Sequence, residues 1–367
     1  MSKRGKIFFF CVCVLVGFGI VMTYSASAIY AQHVYDNAEH FLFRQCVYAL
    51  IGTFVMFGAA SVPIAFWQKH AKSMIILAIV FLVLVYLPGI GHTAGGAQRW
   101  IGLGMINFQP AEFAKLTVCV YLSDYLSRKI KPIKKGSFFT FLPPLVLVGA
   151  VCVLTLAQPD LGSTVFMLMI VAFLFFLSGI RFRYVLAAVM AVVPVFYLLV
   201  LRVPYRASRV TAYLNPWDDP QGSGFQIIQS FIAFGLGGVH GAGLGQGIQK
   251  LFYLPSSYND FIFSVIGEEL GLIGVFFVLA IYAIIFVCGI QMAEESRGNY
   301  ERFLIMSLTL MIVLQAIIHM LVTTGLIPTK GLPLPFVSFG GTSLVFNMMA
   351  AGLLLAADRQ SLRRRQG

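Results

Sequence analysis

Acidic residues are scarce in this chain. It holds 14 Asp and Glu among 367 residues, and only 11% of it is charged. An ordinary soluble domain carries about 25% charged residues, so the shortage excludes a soluble globular protein. The 59% of hydrophobic residues excludes a disordered chain as well. Cysteine is no guide to chemistry. Cys11, Cys13, Cys46, Cys119, Cys152 and Cys288 lie in or beside apolar runs without metal-ligand spacing, the pattern of small buried residues rather than a disulfide or zinc framework. No glycine loop leads into Lys-Ser/Thr, so cytoplasmic nucleotide binding has no motif to rest on.

Long apolar runs are what the chain has instead. They cover 7–30, 47–66, 74–87, 111–126, 139–156, 161–180, 184–201, 261–290, 303–326 and 341–357. A bilayer-crossing helix needs about 20 apolar residues, so the expectation is an all-α integral membrane protein of ten transmembrane helices, a single polytopic domain over 1–367. The first run is too long, and lacks a small-residue cleavage site, for a removable signal peptide. Run 111–126 contains Glu112 and Lys115 and is weak by hydropathy alone. Most of the Lys and Arg fall in alternate connections, among them Lys3, Arg4, Lys6, Lys69, Lys72, Arg128 to Lys135, Arg181, Arg183, Arg297, Arg302 and Arg359 to Arg365. By the positive-inside rule those connections and both termini are cytoplasmic. The net charge of +12 then reports orientation in the inner membrane, with no nucleic-acid partner required.

One outer connection, between spans seven and eight at about 202–260, is too long to be a structureless loop. Its apolar stretch 225–234 is expected to dip into the membrane as a re-entrant or interfacial helix. Gly235, Gly237, Gly238, Gly241, Gly243, Gly245 and Gly247 follow and allow close backbone approach. Non-helical backbone at membrane depth needs protein or a wet cavity around it, so this loop is the expected wall of a site at the outer leaflet.

The acids on or near the cytoplasmic side are Asp124, Glu294, Glu295, Glu301 and Asp358; the others are outside or within the membrane. Ionisable groups at that depth are costly and mark function by default. Glu112 and Lys115 share a helical face and can pair, either to fix helix packing or to hold an anionic ligand. Asp160, in a tight Gln158-Pro159-Asp160-Leu161-Gly162 turn, suits a helix N-cap. Asp218 and Asp219 sit in turn chemistry between Asn215 and Pro220. Glu268 and Glu269 read as polar glue to neighbouring helices, with Glu268 roughly on the face of Asp260. Asp260 closes the long loop. It could cap the eighth span, or serve as a general base at the mouth of the cavity, where partial loss of water makes a carboxylate more basic.

Several segments carry a resemblance. In order they are Tyr24-Ser25-Ala26-Ser27-Ala28; Arg99-Trp100-Ile101; Gln109 to Lys115; Gln158 to Gly162; Asn215-Pro216-Trp217; Gly224-Phe225-Gln226; Gln249 to Pro255; Asn259 to Phe263; Gly267 to Gly271; Pro328 to Leu332; and Pro335 to Gly341. Together they resemble the SEDS family of bacterial peptidoglycan polymerases, the FtsW, RodA and SpoVE group. The stretches Gln249 to Pro255 and Pro328 to Gly331 are more similar to FtsW and SpoVE than to RodA. The pattern departs at Ser256-Ser257-Tyr258-Asn259, where the family commonly has Glu-Ala-His-Thr. It departs again at Phe339, usually Tyr, and at His319, usually Asn.

The resemblance implies an enzyme that polymerises lipid II into glycan strands at the outer face by inverting glycosyl transfer, releasing undecaprenyl pyrophosphate, with a role in cell division. The family's essential loop aspartate matches Asp260, and its fourth-helix Glu and Lys match Glu112 and Lys115. Substrate-binding residues are expected at Glu112, Lys115, Arg99, Asp160, Arg206, Lys330 and Ser338. Arg202, Arg209 and Lys250 are further outer-side cations. No cofactor is certain; a divalent cation, Mg or Mn, would suit the leaving pyrophosphate. Expected partners are lipid II, nascent glycan, a class B penicillin-binding protein and other division proteins. A lipid II flippase without catalysis is the main alternative, and a non-catalytic division scaffold a third.

Overall fold

The computed structural model describes residues 1–94, 97–103, 106–135, 140–180, 184, 186, 190, 197, 211–251 and 253–366. The apolar runs become helices. They are α1 (Lys3–Tyr35), α2 (His40–Ser61), α3 (Ile64–Leu84), α4 (Pro110–Lys135), α5 (Leu142–Ala157), α6 (Leu161–Leu177), α7 (Phe225–Gly237), α8 (Ile262–Glu294), α9 (Asn299–Thr323) and α10 (Gly341–Gln366). Six of these, α1, α2, α3, α8, α9 and α10, are long and apolar enough to cross a membrane, and α5, α6 and α7 are shorter apolar helices. In the run 184–201 the described residues Tyr184, Leu186, Met190 and Tyr197 are helical; the remainder lies outside the described residues. The chain is a helical, multi-pass membrane protein.

The all-α expectation needs one correction. Between α3 and α4 lies a small antiparallel sheet in the order β1 (Gly91–Ala94), β2 (Ala97–Leu103) and β3 (Ile106–Phe108). Gly95-Gly96 and Gly104-Met105 separate the strands in sequence. Such two-residue, glycine-bearing links are hairpin signals that are easily lost among long apolar runs.

Helix α4 explains why hydropathy alone is a poor guide here. Residues 110–126 are buried on every face, among α3, α5, α6 and α9. Because protein rather than lipid surrounds it, α4 can carry Glu112 and Lys115 where a lipid-facing helix could not.

Both ends of the chain meet at one end of the bundle. The Ser2 amide donates to Asp358 Oδ2 at 2.8 Å, the Ser2 hydroxyl caps α1 by accepting from Gly5, and Arg4 pairs with Glu295. Helix α1 has 33 residues, about 50 Å at 1.5 Å per residue. That exceeds a hydrocarbon core of about 30 Å, so α1 is longer than the layer it is able to cross.

Two irregular segments shape that far end. The first follows α7. Its backbone takes the place of a helical turn where Gly271, at φ +62°, breaks α8. Ala242 and Gly243 donate to the carbonyls of Glu268 and Glu269 at 2.9 and 3.0 Å, while Leu272 donates to Gly238 at 3.0 Å. The second runs from α9 to α10. Phe336 and Val337 lie against Gly19, halfway along α1, where a Cβ would run into the Phe336 carbonyl. Nothing in the apolar runs marks this loop as buried, because it lies between two of them.

Candidate functional site

Four helices hold the buried α9–α10 loop by its carbonyl oxygens. Thr23 of α1 donates to Val337 at 3.4 Å and Gln45 of α2 to Ser338 at 3.4 Å; Tyr282 of α8 donates to Pro335. From α9, Gln315 donates to Pro333 at 2.8 Å, and one turn later His319 Nδ1 meets the Leu332 carbonyl at 2.9 Å. Side chains thus satisfy acceptors that would otherwise be stranded in a water-poor interior.

The loop in turn shapes the turn that carries Asp260. Ser338 Oγ donates to the Asn259 carbonyl at 2.7 Å and accepts from Leu334 N at 2.8 Å, while Phe339 N donates to the Tyr258 carbonyl at 3.0 Å. Asn259 and Asp260 donate to Ser256 O at 3.0 and 3.1 Å, closing a compact turn. Helix α8 begins after it with Phe261 as N-cap and without a side-chain cap. Asp260 is therefore not a helix cap, and it precedes the first turn, so it shares no helical face with Glu268. Its half-buried carboxylate lies beside Gly331: a Cβ there would be 3.5 Å from Oδ2.

The start of the Lys330 side chain packs beside the Asp160 turn. A Cβ at Gly162 would lie 3.6 Å from both Asp160 Oδ1 and Lys330 Cβ. Asp160 caps α6, accepting from Ser163 N at 2.9 Å and Ser163 Oγ at 2.8 Å. Arg99 of β2 braces the preceding turn by donating to the carbonyls of Gln158 and Pro159 at 2.9 and 2.6 Å. Burial pushes the Lys330 ammonium below the usual lysine range, as expected of a charge held in a half-dry recess.

Glu112 and Lys115 stand behind this recess. Lys115 Nζ reaches Glu112 Oε1 at 2.8 Å and Gln315 Oε1 at 3.0 Å, and lies 5.4 Å from the Phe166 ring centre. Both side chains are buried. The pair engages the site through Gln315 and the Pro333 carbonyl. Asp219 holds its turn by accepting from Ser223 N and Oγ, which keep its carboxyl below the ordinary range. Arg202, Arg206 and Arg209 lie outside the described residues.

Two sequence expectations are corrected. Lys250 is not available as a site cation: its Nζ is buried at 2.7 Å from Glu269 Oε1. Glu268 and Glu269 also bind less to helices than to the glycine-rich loop. Glu268 accepts from Ile248 N at 2.6 Å and Gln249 N at 3.1 Å, and Glu269 accepts from Gly245 N at 3.1 Å as well as from Ser25 Oγ. A pair 19 residues apart has no spacing signature, so only the fold reveals it. Gly241, at φ +82° against the Glu269 carbonyl, leaves no room for a side chain. Gly241→Ala is expected to cost at least about 2 kcal/mol through left-handed strain and overlap, read as a lower melting temperature in detergent; an unchanged melt would refute this packing.

Among the described residues no group of three His, Cys, Asp or Glu gathers as a metal cage.

Comparison with known proteins is consistent throughout. A family model described as "Cell cycle protein", for the FtsW, RodA and SpoVE group, matches residues 6–363. A probable peptidoglycan glycosyltransferase FtsW of Geobacter sulfurreducens is 45% identical over 343 residues, 93% of this chain and 91% of that protein. Stage V sporulation protein E of Bacillus subtilis is 40% identical over 350 residues, 95% of this chain and 94% of that protein. A structure concerned with coordination of polymerization and crosslinking by a peptidoglycan synthase complex matches with a TM-score of 0.79 at 28% identity, over 96% of this chain and 97% of that one. The crystal structure of the rod shape determining protein RodA of Thermus thermophilus matches at 0.71 and 25%, over 96% of each chain.

Proposed function

Because the chain belongs to the FtsW/RodA/SpoVE family of cell cycle proteins, we propose that the recess around Asp260 is where it polymerises lipid II as a peptidoglycan glycosyltransferase. One observation carries the assignment of the site: the Lys330-Gly331 stretch lies between the Asp260 carboxylate, beside Gly331, and the Asp160 turn, where Lys330 packs next to Gly162. The family places this chemistry at the membrane, and the protein is a multi-pass membrane protein with no need of a soluble domain.

Asp260 acts as general base. As the 4-hydroxyl oxygen of the acceptor N-acetylglucosamine forms its bond to the anomeric carbon of the donor sugar, its proton passes to the Asp260 carboxylate. The bond from that carbon to the pyrophosphate oxygen breaks on the opposite side, so configuration inverts. Undecaprenyl pyrophosphate leaves with the electron pair. Lys330, with Arg206 from the long loop, supplies positive charge to it. A divalent cation carried on the pyrophosphate, Mg or Mn, would share that task. Arg99, Ser338, Glu112 and Lys115 keep the loops around the substrate in place. The remaining reading follows: ten spans, seven of them before the long outer loop, one domain, both termini in the cytoplasm, and a class B penicillin-binding protein as partner in division.

The test is reconstitution of the purified chain alone with lipid II. Polymer is expected; translocation of labelled lipid II without polymer would favour a flippase. The charge on Lys330 gives a second check. A lysine is charged below its pKa, and burial lowers that pKa, so charge and rate should fall at a lower pH than an exposed lysine would dictate. Lys330→Arg should move the alkaline fall upward, and Lys330→Met should lower the rate about tenfold and remove it. Rates measured from about pH 6 to about pH 10 span the relevant window; an alkaline limb identical in all three proteins excludes Lys330.

A further inference from the structure

Gly331 is a glycine that the fold itself does not require. Leu332 N donates to the Lys330 carbonyl at 2.9 Å, closing a three-residue turn with Gly331 at its centre. Its φ is not in the left-handed region, so the turn is of the inverse kind that any L residue can adopt. Packing gives no reason for a glycine either. At Gly237 and Gly352 the carbonyls of Gly267 and Met56 stand where a Cβ would go. Gly331 is exposed instead. Among the described residues, a Cβ on it would meet only the Asp260 carboxylate, 3.5 Å from Oδ2, 3.9 Å from Oδ1 and 4.0 Å from Cγ.

An exposed glycine is often of no consequence, but two observations set this one apart. The turn that carries it is fixed. His319 Nδ1 meets the Leu332 carbonyl at 2.9 Å, the Leu332 side chain is buried, and Lys330 Cβ packs beside Gly162. The bare Cα of Gly331 is thus held facing Asp260. The position of the missing methyl is the second. It lies nearer to both carboxylate oxygens than to the carbon between them, so it falls at the head of the carboxylate and not over its flank. A hydroxyl that gives its proton to Asp260 has to come within about 2.6–3.2 Å of one of those oxygens. A methyl group at the head of the carboxylate would crowd that approach.

We infer that the bare face of Gly331 is the clearance through which a sugar hydroxyl reaches Asp260, which makes Gly331 a specificity-determining position for the acceptor. The 4-hydroxyl of N-acetylglucosamine is a secondary one. It brings its ring carbon and that carbon's neighbours with it, so it needs more open space before the base than a water molecule does. This rests on the polymerase reading and deepens it: Asp260 supplies the basicity, and Gly331 leaves the room for a bulky acceptor.

The experiment uses the full-length chain reconstituted with lipid II. Gly331→Ala is expected to melt with the parent, since the added methyl has no closer described neighbour than 3.5 Å. It should make polymer about tenfold more slowly, because the acceptor is displaced from the base. Gly149→Ala in α5, where a Cβ meets no described atom within 4 Å, is the control and should match the parent. A parental rate in Gly331→Ala, or a melt that falls along with the rate, would overturn the inference. Gly331→Cys gives a readout independent of turnover. A water-soluble methanethiosulfonate should modify residue 331, read by peptide mass spectrometry because Cys13 and Cys46 are exposed as well. Lipid II well above its Kd should slow that modification at least about fivefold by occupying the space. A thiol that stays unmodified, or is modified as fast with lipid II as without, would also overturn it. If the parent itself makes no polymer, the polymerase reading fails, and thiol protection alone decides whether lipid II occupies the space between Gly331 and Asp260.

Discussion

Asp260→Asn should yield a protein that inserts and folds as the parent does but makes glycan strands at least about 100-fold more slowly, the usual range for removing a general base being 10²- to 10⁴-fold. Asparagine keeps the size of the side chain and loses the ability to take a proton. Folding should survive because Asp260 does not cap α8; Phe261 occupies that position, and the turn is closed by backbone bonds to Ser256. The measurement is lipid II consumption by purified protein beside its melting temperature. Polymer made at the parental rate by a normally folded variant would exclude Asp260 as the base. A depressed melt would instead place the carboxylate among the structural groups.

Glu269→Ala is expected to be the most damaging single change to stability, at about 3–5 kcal/mol, because it leaves the Lys250 ammonium buried without its partner. It also removes the acceptor for Ser25 and Gly245, so the glycine-rich loop keeps only Glu268 and its backbone bonds to hold it on α8. The Asp260 turn is continuous with that loop, and activity should fall with the melt. The pairing is tested by the double variant Glu269→Leu/Lys250→Met. With no charge left unpaired, it should recover most of the lost stability. A double variant as unstable as the sum of its parts would show that the two side chains act independently.

The sequence made the membrane class and most of the spans plain, because runs of apolar residues are dictated by the lipid itself. Asp260 stood out as a candidate from its place at the end of the long loop together with the family pattern around it. The partnership of Lys250 with Glu269 was hidden, since two groups 19 residues apart meet only after α8 breaks at Gly271. The depth of Phe336 and Val337 was hidden too, because prolines and glycines mark a surface turn and a buried one alike. The strands carrying Arg99 were short enough to vanish between α3 and α4. Glu112 and Lys115 were picked out correctly as a pair, while Gln315, which joins them to the site, is an ordinary polar residue in an apolar run.

The buried α9–α10 loop also bears on how the protein is made. Its carbonyls wait for side chains from α1, α2, α8 and α9, and chains are synthesised from the N-terminus. Those earlier helices reach the membrane with donors that have nothing to bind until the loop and α10 arrive. A chain that ends before residue 332 therefore lacks every one of these acceptors and leaves Thr23, Gln45, Tyr282, Gln315 and His319 without them in its interior.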